Sequence, residues 1–203
     1  ANLTLSVTGA AYVNEANALN VVSASTGLFS LSGAGNTVLT SVTATGDVTV
    51  SLSAGDLTVG SLTATGKAVS LSTVGAVVDG DDSTDISATA LSITAASVGS
   101  STDSLDTDVA NLTLSVTGAA YVNEANALTV TNANTGLFSL TGAGATVLSQ
   151  VTATGNVTVS LSAGDLTVGS VSATGQSVTL STVGAVVDGD TATDITANAL
   201  NIT

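Results

Sequence analysis

The second half of the sequence repeats the first almost without change. Residues 1–19 return unchanged as residues 110–128, and residues 1–94 differ from residues 110–203 at only 19 positions. The second copy follows the first without a gap, so the fold must accept a second unit joined directly to the first. The sequence therefore predicts two units, residues 1–109 and a truncated copy at residues 110–203, that form one continuous repeat structure.

A shorter period of about 20 residues runs inside each unit. Residues 36–55 and residues 56–75 share one build, and both contain the tetrapeptide Thr-Ala-Thr-Gly. Glycines at 35, 55 and 75 punctuate this period and predict corners, where a positive φ angle costs glycine little. We interpret residues 56–75 as one coil of a repeating structure.

Apolar residues alternate with serine and threonine inside each coil, which is typical of short strands with one buried face. In residues 56–75, we expect Leu57, Val59, Val69 and Leu71 to face inward. Small side chains and the absence of a helical pattern favour a parallel β-helix, or β-solenoid, of about ten coils stacked about 4.8 Å apart. Such a rod is on the order of 50 Å long.

The alternative architecture is a pair of tandem immunoglobulin-like β-sandwiches, because a unit that spans residues 1–109 has an ordinary size for one such domain. The shorter period inside each unit argues against it. So does the supply of bulky residues, because the chain has no tryptophan and only two phenylalanines and two tyrosines. That supply is too thin to fill two sandwich cores, whereas small residues fill a narrow solenoid.

The residue inventory excludes several classes of function. The net charge is -14, and Lys67 is the only lysine or arginine. Such a chain repels nucleic acids and anionic lipid headgroups, and no apolar run approaches the roughly 20 residues of a membrane-spanning helix. The absence of histidine and cysteine removes catalytic triads, thiol nucleophiles and zinc sites. We therefore expect no enzyme, no nucleic-acid partner and no membrane insertion.

The phrases AGDLTVGSLTATG (54–66) and KAVSLSTVGAVVDG (67–80) resemble the repeats of filamentous-haemagglutinin-type adhesins and related giant bacterial surface proteins. The resemblance spans most of both units and implies a right-handed parallel β-helix. It also implies a secreted or surface-anchored bacterial protein that acts in adhesion, biofilm matrix or fibre formation. The chain begins at Ala1 without an initiator methionine or a leader, and we interpret it as a mature product or an excised piece.

An acidic loop, DGDDSTD at residues 79–85, is the strongest candidate site. It returns as DGDTATD at residues 188–194, with Thr191 where Asp82 stood. Carboxylates two residues apart around a glycine, with another a few residues later, can wrap a hard cation, and Ca²⁺ accepts six to eight oxygens in flexible geometry. The alternative is a pair of solvated turns. The candidate Ca²⁺ ligands are Asp79, Asp81, Asp82, Asp85, Asp188, Asp190 and Asp194.

Three further features of the sequence are candidate binding sites. Asp103, Asp106 and Asp108 form a second acidic run. The Thr-x-Thr pairs at 43–45 and 63–65, with their counterparts at 152–154 and 172–174, would stack into ladders, and such ladders on a solenoid are typical of ice-binding proteins. Tyr12, Asn14 and Glu15, with their counterparts in the second unit, combine a ring, an amide and a carboxylate that can contact a sugar.

These observations predict a structural segment of a long repetitive extracellular fibre, adhesin stalk or biofilm-matrix protein. Uncapped coils at the two ends favour self-association end to end or laterally. The alternative is a binding module for Ca²⁺-dependent adhesion to glycans or cell surfaces, or for ice.

Overall fold

The computed structural model describes all residues, 1–203, and contains 23 β-strands and no α-helix. The chain therefore has no helix that could cross a membrane. The strands are β1 (Asn2–Ser6), β2 (Ala11–Glu15), β3 (Leu19–Thr26), β4 (Phe29–Gly33), β5 (Thr37–Leu39), β6 (Val42–Ala44), β7 (Val48–Leu52), β8 (Leu57–Val59), β9 (Leu62–Thr73), β10 (Ala76–Asp79), β11 (Ile86–Ala95), β12 (Ser97–Val98), β13 (Leu105–Val116), β14 (Ala119–Glu124), β15 (Leu128–Thr135), β16 (Leu137–Gly142), β17 (Thr146–Leu148), β18 (Val151–Ala153), β19 (Val157–Leu161), β20 (Leu166–Val168), β21 (Val171–Thr182), β22 (Val186–Asp188) and β23 (Ile195–Ile202).

Every strand pairing is parallel, and each internal strand pairs with strands one coil earlier and one coil later in the chain. The coils differ in length. Leu105 pairs with Val122 in the next coil, whereas Leu62 pairs with Ile86, a longer step that includes the loop at 79–85. Immunoglobulin-like sandwiches are antiparallel, so this pairing rules them out. The prediction of a β-solenoid of about ten coils is confirmed.

The core is a set of columns in which one inward residue stacks on its equivalent in the next coil. One column can be followed through ten consecutive coils, from Leu19 to Leu200. Its fully buried members include Leu57, Val77 and Phe138. The inward positions predicted for residues 56–75 are confirmed, because Leu57, Val59, Val69 and Leu71 are all at most 1% exposed.

The two repeat units join inside a strand. Residue 110, where the second unit begins, lies in the middle of β13, and that strand pairs with β11 before it and with β14 and β15 after it. No linker separates the units, and the core columns pass through the junction without interruption. The solenoid is therefore one continuous body across both copies.

One repeat unit does not contain a whole number of coils. Five steps of the register lead from Ala11 to Leu112, whereas the counterpart of Ala11 in the second unit is Ala120, further along the chain. The unit thus spans five coils and roughly half of another. Equivalent residues of the two units lie on opposite sides of the rod, which the short period of the sequence did not predict.

Candidate functional site

The first acidic loop (79–85) joins β10 to β11, at a corner that the two preceding coils close with two residues. In the preceding coils the corresponding links are Thr40-Ser41 and Gly60-Ser61. A Cβ atom at Gly80 would lie 2.6 Å from the carbonyl oxygen of Val59 in the coil before, so glycine is required at this position. The loop is therefore an insertion at a corner that still packs tightly on its neighbouring coil.

Two acidic side chains at this corner lie in the interior of the solenoid. Asp79 ends β10 and is 6% exposed, and Asp85 immediately precedes β11 and is fully buried. The backbone of Asp85 belongs to the ladder, since its N–H donates to the Asp106 carbonyl at 2.9 Å and its carbonyl accepts from the Leu62 N–H at 2.6 Å. These bonds fix Asp85 beside Asp79 with little freedom to turn outward.

The Asp85 carboxyl group is only partly satisfied. Its Oδ2 atom accepts the N–H of Asp106 at 3.0 Å, whereas its Oδ1 atom is enclosed and has no hydrogen-bond partner. The carboxyl group faces that of Asp79, close enough to hydrogen-bond when one of the two holds a proton. The structure thus brings together two of the predicted ligands in a confined corner.

Burial dominates the electrostatics of this pair. It raises the pKa of the Asp85 carboxyl to about 8, against the opposing effect of the Asp106 N–H bond, and the charge of Asp79 raises it further. Burial also raises the pKa of Asp79, where the Asp81 N–H opposes the shift and Asp103 adds to it. No cationic side chain lowers the pKa of either carboxyl group.

The remaining carboxylates of the loop are more accessible. Asp79 Oδ1 accepts the N–H of Asp81 at 2.8 Å, and Asp81 Oδ1 accepts the N–H of Ser83 at 2.7 Å, so each forms a short local turn. Asp82 is exposed and lines a polar cleft of about 410 Å³ together with Asp103 and Asp106. The structure therefore places Asp82 apart from the buried pair and next to the second acidic run.

The second acidic loop (188–194) is more exposed than the first and, unlike the first, brings three carboxylates together. Oxygen atoms of Asp188, Asp190 and Asp194 all lie within 4.8 Å of one another. The local turns recur, with Asp188 Oδ1 accepting the Asp190 N–H at 2.8 Å and Asp190 Oδ1 accepting the Ala192 N–H at 2.6 Å. Asp194 Oδ1 is again enclosed without a partner. Desolvation and the neighbouring charges of Asp188 and Asp190 raise the pKa of Asp194.

The two acidic loops face different sides of the rod. Asp79 continues the column of Leu39 and Val59, whereas Asp188 continues the column of Leu148 and Val168. This separation follows from the extra half coil in each repeat unit. A longer array with the same repeat would present the loop alternately on opposite sides.

The second acidic run does not form one cluster. Asp106 Oδ1 accepts the side-chain amide of Asn123 at 2.7 Å, and Asp108 Oδ1 accepts that of Asn126 at 2.7 Å. Asp103 lies on the preceding corner, near Asp79. Amide donors thus occupy one oxygen each of Asp106 and Asp108.

The threonine ladders are two coils deep in each unit, as the sequence predicts. Thr43 pairs with Thr63, and the same column continues through Ser87 to Asp108. The ladders of the two units do not stack together, because Thr152 belongs to a different column, with Asn134 before it. The half-coil offset between the units separates the ladders.

Glu124, predicted from the sequence to belong to the second copy of the sugar contact, instead lies inside the core. It is fully buried, and Oε2 accepts the Thr107 hydroxyl at 2.9 Å while Oε1 accepts the N–H groups of Val109 and Asn126, both at 3.1 Å. Burial raises its pKa to about 7, although these hydrogen bonds oppose the shift. The signal was its place in β14, where Ala120, Val122 and Glu124 alternate inward.

The candidate sugar contact differs between its two copies. Tyr12 is 77% exposed, whereas its counterpart Tyr121 is half-buried. Glu15 is partly exposed in the first coil and accepts the Asn17 N–H at 3.1 Å, whereas Glu124 is enclosed. The ring and the carboxylate therefore share an accessible surface only in the first copy.

The fold and the acidic loops define the chain as a β-solenoid repeat protein with a carboxylate-rich corner in each unit. Comparisons with protein-family models, with curated proteins and with solved structures find no match.

Proposed function

We propose that the chain is a structural segment of a long repetitive extracellular fibre, adhesin stalk or biofilm matrix, and that it associates with further copies of itself. The observation that carries this proposal is the uninterrupted register of the core column from Leu19 to Leu200 across the junction between the units. Each coil needs only its two neighbours for stability, so such an array extends without requiring a new core.

The source of stability suits a mechanical role. The 203 residues form 132 backbone–backbone hydrogen bonds, and most of these join neighbouring coils along the rod. Load along the axis is therefore distributed over several parallel ladders. The extracellular location is part of the proposal and rests on the resemblance of residues 54–80 to surface-adhesin repeats.

The surfaces of the terminal coils support association between copies. In this chain, β1 pairs only with β3 and β23 pairs only with β21. Leu200 and Ile202 occupy inward positions in β23 yet are 50% and 48% exposed. In the purified chain of 203 residues, this strand edge with its exposed apolar side chains is a template for pairing with another copy.

Electron microscopy of the purified chain over a concentration series tests this proposal. We expect filaments of varied length, with a uniform width and a mean length that grows with concentration. The variant Leu200→Lys places a charge at an inward edge position and should shorten the filaments. Asn201→Lys, which adds the same charge at an outward position, is the matched control and should assemble like the wild type. A single monomeric rod at high concentration contradicts self-association.

A further inference from the structure

The fibre function leaves one feature of the molecule unexplained, namely the carboxyl pair of Asp79 and Asp85. A solenoid corner needs only two residues, and Asp85 is fully buried with its Oδ1 atom unpartnered. Burial of an ionised carboxylate without a partner is costly, so such a group calls for a proton or a cation. A corner that served only as a turn would not require a buried carboxyl group without a partner.

The same feature recurs in the second unit, where Asp194 Oδ1 is enclosed and unpartnered as well. The differences between the loops separate the carboxylates into two kinds. Asp82 is replaced by Thr191 and Ser83 by Ala192, while the aspartates at 79, 81 and 85 return as 188, 190 and 194. The three retained carboxylates are the ones whose oxygen atoms lie within 4.8 Å of one another in the second loop.

No side chain of the protein supplies the missing positive charge. Lys67 is the only lysine or arginine, and it lies on β9 at a different corner, between residues 64 and 69. With 15 carboxylates in the chain, a counter-charge for the loops must come from solution. Aspartate oxygens are hard ligands, and they suit Ca²⁺ or a similar hard divalent cation.

We propose that each acidic loop binds one Ca²⁺ ion, through Asp79, Asp81 and Asp85 in the first unit and through Asp188, Asp190 and Asp194 in the second. Asp79 and Asp81 each use one oxygen for a local N–H bond and keep the other available, and Asp85 contributes its unpartnered Oδ1. Water completes the six to eight oxygens that Ca²⁺ accepts.

Binding ties the loop to the solenoid wall. Asp79 belongs to β10, whereas Asp85 is bonded through its backbone to Leu62 in the coil before and to Asp106 in the coil after. A cation shared by Asp79 and Asp85 therefore closes the loop and joins three consecutive coils at one point. The two sites lie on opposite sides of the rod because of the half-coil offset.

Calorimetric titration of the chelator-treated full chain with CaCl₂, paired with thermal melting, tests the proposal. Over about 10⁻⁴ to 10⁻³ M, the range typical of extracellular modules, we expect two ions per chain and a higher melting temperature. Asp85→Asn should remove one ion and Asp194→Asn the other, and the double variant should bind none. Asp85→Asn should also melt at or above the wild-type temperature in chelator, because the asparagine amide can lie buried without a proton or a cation.

Asp82→Asn is the matched control, since it removes a carboxylate of the same loop that the second unit lacks. It should bind two ions like the wild type. The proposal is overturned if Ca²⁺ leaves the melting temperature unchanged, which would show that the buried pair is neutralised by a proton alone. It is also overturned if Asp82→Asn and Asp85→Asn lose binding equally, which would indicate a diffuse response to negative charge.

Discussion

Thr107, near the end of the first repeat unit, donates a hydrogen bond from its hydroxyl to Glu124 of the second unit at 2.9 Å. The bond joins neighbouring coils at the point where the two copies meet. Val109, also of the first unit, donates its N–H to the same carboxyl group at 3.1 Å and 3.2 Å. The junction is therefore held by a buried acidic group inside the core, in addition to the continuous ladder.

The Glu124 carboxyl makes the stability of this junction depend on pH. Its pKa is raised from 4.5 to about 7, mainly by burial, with Asp108 the neighbouring charge that adds to the shift. Between these values the folded chain holds a proton that the unfolded chain releases, so the free energy of unfolding falls as pH rises through this window. The loss amounts to on the order of 3 kcal/mol.

Glu124→Gln should remove this part of the pH dependence, because glutamine keeps an acceptor for the Val109 and Asn126 N–H groups without a titrating proton. We expect the melting temperature of the variant to rise relative to that of the wild type as the pH is raised from the ordinary pKa of the carboxyl to above its raised value. Asp79 and Asp85 remain in both proteins, so their contributions cancel. Glu15→Gln, at the partly exposed counterpart, is the control. Equal pH profiles for wild type and Glu124→Gln would refute this account of the junction.

Phe138 fills the core column of the second unit and is fully buried. Truncation by Phe138→Ala leaves a cavity between the coils of Val157 and Ala120, and it should cost about 3–5 kcal/mol in chemical denaturation. Tyr12→Ala removes a ring that is 77% exposed and should change stability by about 0.5 kcal/mol or less. Comparable losses for the two variants would contradict the assignment of inward and outward faces.

Gly80 holds the first acidic loop against the preceding coil. Since an added Cβ atom would lie 2.6 Å from the Val59 carbonyl oxygen, Gly80→Ala should destabilise the chain by about 1–3 kcal/mol. Gly9→Ala adds a methyl group where no atom lies within 4 Å and should leave the melting temperature nearly unchanged. Equal melting of both variants would show that the loop does not pack as described.

Much of the fold follows from local patterns in the sequence. The alternation of Leu57, Val59, Val69 and Leu71 with small polar residues identifies the inward face, because side chains alternate strictly along a strand. The near-identity of the two units requires a structure that continues from one to the next. Glycine also marks corners, and Gly55 and Gly66 adopt positive φ angles of 85° and 75°.

The rotation between the units could not be predicted in the same way. Coil length varies, because loops such as residues 79–85 lengthen some corners. The average period of the sequence therefore does not show that each repeat unit contains half a coil more than five whole coils. Whether Thr43 and Thr152 share a column depends on the sum of all these lengths.

The interior of the candidate site was hidden for a different reason. An aspartate in the run DGDDSTD is typical of a solvated turn, and nothing local distinguishes Asp85 from Asp82. The burial of Asp85 depends on the next coil of the chain, which packs against this residue. In that coil, the N–H of Asp106 donates to the Asp85 carboxylate. Contacts between coils therefore decide which carboxylates of the loop lie inside.

Small-angle X-ray scattering on arrays of two, three and four complete repeat units tests the continuous solenoid most directly. Each unit contains about five and a half coils spaced about 4.8 Å apart, so the rod should lengthen by about 26 Å per added unit at constant cross-section. The thermal stability of the arrays should rise with unit number, as in other repeat proteins. A radius of gyration that grows like that of flexibly linked globules, or a cross-section that changes with unit number, would contradict the account.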